Sequence, residues 1–239
     1  MQESLNQTQG ETPSPSHNTA LITGAALLGG AALLAATPKV ALAVSPPLQF
    51  SAIPGTGDVK VLNYALALEA LEADLYAQCV TKLANLGVSS SDPLRKYVTE
   101  FAKVEAQHRD FLISAIKAAN NGTTILDGPL AGATFNFGAN LDTAASILDF
   151  LIDVEATGVK AYIGAIPSFT PGSAYLPTAA AIQGTEARHT AALIVVKNRK
   201  TGSTLPPAPL YTDNGGRDSL LIPQDVLDGV SQYIVLGTG

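Results

Sequence analysis

Val104-Glu105-Ala106-Gln107-His108-Arg109 has a near copy further along the chain, Thr185-Glu186-Ala187-Arg188-His189-Thr190. Both read Glu-Ala-x-His. Residues three apart on a helix sit on neighbouring points of one face, so each copy can aim a carboxylate and an imidazole at one target. Two such pairs, with one Glu from each of two other helices, make the ligand set of dinuclear carboxylate sites in four-helix bundles.

Periodicity outward from these motifs predicts four helices. Residues 58–86 place Leu62, Leu66, Glu69, Ala73, Tyr76 and Val80 on one stripe. Asn63, Ala67, Asp74 and Gln78 lie opposite. Asp58 is the expected cap and Gly87 the expected end. Residues 93–119 follow an Asp92-Pro93 start, with Leu94, Tyr97, Phe101, Glu105, His108 and Leu112 inward. Residues 142–166 carry Leu148, Ile152, Glu155, Val159 and Tyr162 on one face. Residues 176–200 carry Ala179, Ile182, Glu186, His189 and Leu193. Short loops join the first pair and the second pair, whereas residues 120–141 are long enough to cross the bundle end to end. Pro223 opens a short C-terminal helix, with Val226, Leu227, Val230, Tyr233 and Ile234 as its apolar side, expected to pack outside the bundle.

The chain repeats itself. Leu62-x6-Glu69-x6-Tyr76 matches Leu148-x6-Glu155-x6-Tyr162, so residues 58–119 and 142–200 read as two copies of one helical hairpin. Periodicity alone leaves Glu69 and Glu72 both inward. The repeat selects Glu69, because Glu155 stands at its equivalent and Gly158 stands at the equivalent of Glu72. Glu72 is then an outer or loosely bridging candidate. Tyr76 and Tyr162 can hydrogen-bond carboxylates of the opposite half, or simply fill core.

Taken singly, a Glu-x-x-His on a helix is usually a solvated pair, and one inward Glu usually belongs to a salt bridge. Together, four carboxylates and two imidazoles fall on stripes otherwise made of aliphatic residues, with no inward Lys or Arg in the middle turns. Burying that much negative charge unpaired is very costly, and a metal pair supplies the missing positive charge most economically. An oxygen-rich set with one nitrogen per metal suits Fe or Mn better than Zn.

Composition narrows the rest. The 239 residues are 46% hydrophobic and 14% charged, with net charge −6, which argues against nucleic acid and acidic membrane surfaces as partners. The one cysteine, Cys79, excludes an intrachain disulfide and reads as core. Residues 20–36 are apolar and precede Ala41-Leu42-Ala43, a small-x-small cleavage pattern, so residues 1–43 read as a signal peptide of an exported protein. The usual basic residues before the apolar run are missing, and a membrane anchor is the alternative. Residues 44–57 form an extended lead-in. Asn121-Gly122-Thr123 is a glycosylation sequon.

The phrase Leu62-Asn63-Tyr64-Ala65-Leu66-Ala67-Leu68-Glu69, with Leu71-Glu72 and Leu75-Tyr76, resembles the exported ferritin-like domain family, which includes desiccation-related and stress-induced proteins. The resemblance covers residues 58–200. It implies an all-α, antiparallel ferritin-like four-helix bundle with one long crossover. The ligand set resembles that of bacterioferritin and rubrerythrin. This implies Glu69 and Glu155 as terminal ligands, Glu105 and Glu186 as bridges, and His108 and His189 capping one metal each. There is no internal Met for a bacterioferritin haem, no Cys pair for a rubrerythrin iron centre and no twin-arginine signal.

The expected function is that of a di-iron oxidoreductase reacting with O2 or H2O2, in ferroxidase or peroxide-removing chemistry. Two alternatives use the same ligands: a dimanganese catalase-like enzyme, and a non-enzymatic stress protein whose metal is structural. A homodimer through an apolar helix face is compatible with the pattern; a storage shell has no support in the outward faces.

Overall fold

The computed structural model describes residues 47–119, 122–203 and 217–237. The expected signal peptide, Asn121 of the sequon and most of the 201–222 loop lie outside the described residues. Four long helices form the body: α1 (Gly57–Asn85), α2 (Pro93–Ala118), α3 (Ala144–Ala165) and α4 (Leu176–Thr201). α1 packs chiefly on α2, and α3 on α4, as two hairpins laid together. Two tethers fix their directions. Asp58 Oδ1 accepts from the Thr170 amide at 2.7 Å, holding the start of α1 beside the α3–α4 connection. Lys200 Nζ meets Asp92 Oδ2 at 2.7 Å, holding the end of α4 beside the start of α2.

The helix ends follow local chemistry. Asp92 accepts from Leu94 N at 2.8 Å with Pro93 in the first turn. Thr143 and Ser146 form a reciprocal capping box for α3. Gly87 and Gly202 follow α1 and α4 at φ +73° and +70°, a left-handed conformation that glycine adopts without strain. Asp58 does not cap α1, as its spacing suggested. Thr56 precedes the helix, and Asp58 lies inside the first turn and reaches Thr170 instead.

The face of α1 expected to point outward is largely covered. Asn63 and Ala67 are buried, because the crossover runs along that side. Asn63 Oδ1 accepts from Ile125 N at 2.6 Å, and its amide donates to Pro54 O and Thr123 O at 3.2 and 3.1 Å. Fifteen residues on, about 22 Å along the helix axis, Gln78 Nε2 donates to Phe135 O at 3.1 Å. The crossover thus travels the length of the bundle, as its length required.

The C-terminal helix α5 (Pro223–Ser231) is shorter than expected. Ile234 does not extend it. Ile234–Val235 (β2) pairs antiparallel with Thr134–Phe135 (β1) of the crossover, and Tyr233 packs among Phe137 and Phe150. Leu221 enters this segment with its backbone laid directly on Gly164 of α3, where any side chain would collide. No described helix is long and apolar enough to cross a membrane.

The apolar core is divided. One cluster gathers Leu62, Leu66, Leu112, Ile116, Ala161 and Ile182 at one end of the bundle. The other gathers Leu75, Leu83, Leu94, Val98, Leu151 and Leu193 at the opposite end. Between them lies a layer of acidic residues.

Asn63→Ala removes one acceptor and two donations and leaves the Ile125 amide buried and unpaired. It is expected to lower unfolding free energy by about 2–3 kcal/mol, read from urea denaturation. A loss under 0.5 kcal/mol would mean the crossover is held elsewhere.

Candidate metal centre

The layer between the two clusters is the convergence of the repeated motifs. Glu69, Glu105, Glu155 and Glu186 are each fully buried, Glu72 and His189 nearly so, and the His108 side chain is 13% exposed. No Lys or Arg is buried among the described residues. The stripes predicted from periodicity meet here because each helix places its acidic residue at the same height in the bundle.

Two ligand groups form. Glu69, Glu105, His108 and Glu186 offer atoms that all lie within 4.8 Å of one another, and so do Glu105, Glu155, Glu186 and His189. Glu105 and Glu186 belong to both. His108 Nδ1 faces Glu105 Oε2 at 3.0 Å, Glu69 Oε2 at 3.3 Å and Glu186 Oε1 at 3.5 Å. His189 Nδ1 faces Glu105 Oε1 at 2.9 Å and Glu155 Oε1 at 3.3 Å. All six residues singled out in the sequence are therefore brought together.

The two tyrosines cross between halves. Tyr162 Oη, on α3, donates to Glu69 Oε1 at 2.6 Å, and Tyr76 Oη, on α1, donates to Glu155 Oε1. Glu69 and Glu155 are thus each oriented from the other hairpin. Phe101, which the sequence placed only in the core, also borders the site. Its ring stacks on His189 with centroids 3.7 Å apart. Its place one turn before Glu105 on the same stripe was the available signal.

A cation fits this chemistry. Glu69 Oε2, Glu105 Oε1, Glu155 Oε2, both Glu186 oxygens and His189 Nδ1 are buried without a hydrogen-bond partner. The 2.9 Å approach of His189 Nδ1 to Glu105 Oε1 is an ion-pair contact rather than a hydrogen bond. Unsatisfied buried acceptors on this scale are rare in native cores and call for an ion.

Protonation compensates when no ion is bound. Burial pushes Glu69 up to about 7 against the nearby His108, and burial raises Glu72 and Glu186 well above the carboxylate range. Burial opposes the charge of Glu105 too, but the two imidazoles outweigh it and hold Glu105 down to about 2. Burial likewise opposes charge on the imidazoles. Their carboxylate neighbours prevail, raising His108 to about 10 and His189 to about 9. Cys79 is fully buried and its thiol is pushed up to about 12 by burial, so it is core.

Glu72 breaks the repeat. A Cβ built on Gly158 would lie 3.1 Å from Glu186 Oε2 and 3.3 Å from Glu72 Oε1. The glycine at the repeat-equivalent position is what gives Glu72 its room beside Glu186. Glu72 stands outside both ligand groups but borders one of the shared carboxylates.

A family profile described as the ferritin-like domain matches residues 57–198, more than half of the chain. The protein belongs to the ferritin-like domain family. The match spans α1 to α4 and so takes in both hairpins and all six converging residues. No curated protein and no solved structure matches the chain.

Two outcomes follow for this ferritin-like centre. Glu69, His108 and His189 all have folded-state values above their unfolded ones. Their contribution to stability is therefore present at low pH and is lost as pH rises, for Glu69 through about 7 and for the imidazoles through about 9 to 10. Glu105 acts oppositely, but only as pH falls toward about 2. The metal-free protein should melt at progressively lower temperature from pH 5 to pH 9, and divalent metal should release protons on binding, read by calorimetry in buffers of different ionisation enthalpy. A flat profile and no proton release would contradict this charge assignment. Gly158→Ala should change metal-free stability by no more than about 1 kcal/mol, since a helix favours Ala. By crowding Glu186 and Glu72 it should weaken metal binding about tenfold.

Proposed function

We propose that this chain binds two metal ions between its hairpins and acts as a di-iron oxidoreductase. The observation that carries the reading is the pair of ligand groups that share Glu105 and Glu186. In this reading Glu69 and His108 would hold one ion, Glu155 and His189 the other, and Glu105 and Glu186 would be shared between them. Iron held there would supply two-electron redox chemistry, enough, with two protons, to take O2 to H2O2 or H2O2 to two waters.

The protein's own work is positioning and charge. Tyr162 and Tyr76 fix one oxygen of each terminal carboxylate, leaving the other oxygen of Glu69 and of Glu155 unpartnered for an ion. Phe101 restrains the His189 ring. Glu72, a carboxyl group that burial keeps protonated and that stands outside both ligand groups, lies within the same layer and can hand a proton over as charge on the centre changes. The flanking apolar clusters keep bulk water from both ends. The apolar run and the Ala41-Leu42-Ala43 pattern support an exported protein, with protection against oxidative stress as its role.

The test is addition of Fe(II) to the metal-free protein in air, followed by ferric absorbance and elemental analysis. The expected result is two ions per chain and oxidation far faster than in buffer. Glu105→Ala and Glu186→Ala, each removing a shared ligand, should bind one ion or none and lose the rapid phase. Binding of two ions with no reaction toward O2 or H2O2 would leave a structural role. Manganese in protein purified from its source, with H2O2 disproportionation, would move the assignment to the catalase-like reading.

A further inference from the structure

Beside the acidic layer, within the first apolar cluster, lies a recess that no part of the proposed ligand set uses. Its inner wall includes Ala65, Leu68, Leu112, Tyr162 and Ile182, and Phe111, 41% exposed, stands at its rim. These inner residues sit next to the centre on every helix. Leu68 precedes Glu69, Leu112 is one turn after His108, and Ile182 is one turn before Glu186. Tyr162 belongs to both, since it lines the recess and its hydroxyl binds Glu69.

The room is small. The centre of a water-sized molecule has about 20 Å³ available, which suits one or two small molecules and no sizeable organic substrate. The wall is almost wholly carbon. A diatomic apolar gas loses nothing by entering such a space, whereas H2O2 would forfeit its hydrogen bonds with water. Tyr64 is a wall residue too, but its hydroxyl is itself buried, so the recess offers a water almost no polar surface to bind.

We propose that this recess is a dioxygen berth, the place from which O2 reaches the centre, and that O2 rather than H2O2 is the oxidant for which the bundle is shaped. This rests on the di-iron reading above and narrows it.

Two measurements test it. Crystals of the metal-free protein pressurised with xenon should show a xenon atom among Ala65, Leu112 and Ile182. An empty recess, or an ordered water in its place, overturns the proposal without reference to any iron chemistry. Ala179, half-buried on the same wall, is then replaced: Ala179→Phe, or the milder Ala179→Leu, narrows the recess without touching a proposed ligand. Fe(II) binding should be unchanged, oxidation by O2 should slow about tenfold, and anaerobic oxidation by added H2O2 should keep its rate. Equal slowing with both oxidants, or with neither, counts against the berth. If the parent protein does not oxidise iron with O2 at all, the functional reading fails, and xenon alone decides whether the recess holds gas.

Discussion

The structure turns on a shortage of positive charge. Five glutamates are buried in one layer and no Lys or Arg is buried with them. Each ionised carboxylate taken from water costs several kcal/mol even after relaxation, so the layer cannot hold five negative charges unaided. Without an ion it is stabilised by protons on Glu72 and Glu186 and by two charged imidazoles around Glu105. In the proposed reading, bound cations would supply that charge instead, with the four ligand carboxylates and both imidazoles around them and Glu72 left outside. The helix packing thus concentrates the acidic groups in one layer, with an apolar cluster on either side of it.

The repeated hairpin makes this layer from few ingredients. One helix contributes a Glu and a Tyr seven residues later, and the next contributes Glu-Ala-x-His. Pairing two hairpins lets each Tyr reach the other hairpin's Glu, so Glu69 and Glu155 are each held from the opposite half. The copies are not equal. Glu72 faces a bare Gly158, so the Glu186 side of the layer carries a carboxylate with no counterpart on the other. The apolar recess adds a second asymmetry, since it lies at one end of the layer.

Much of this was legible in the residues, because it depends on local periodicity. The four helices, the long crossover and the six converging side chains follow from 3.6-residue spacing and from the internal repeat. What depended on distant contacts was not legible. Asn63 reads as a surface residue until Ile125 and Thr123 arrive from the crossover to satisfy its amide. Ile234 fits an amphipathic helix until a sheet partner is offered by Phe135. Asp58 suits a helix cap, yet Thr170 competes for its carboxylate from across the bundle. Phe101 reads as plain core, because stacking on His189 is a contact between two helices that spacing within one helix does not reveal.

The central claim is most directly tested by anomalous scattering from crystals of the metal-loaded protein, recorded on either side of the iron edge. The account predicts two iron peaks within the layer, one beside His108 Nδ1 and one beside His189 Nδ1, with Glu105 and Glu186 reaching both. A single peak, peaks only at the surface, or an iron-free layer with its carboxylates still protonated would contradict it.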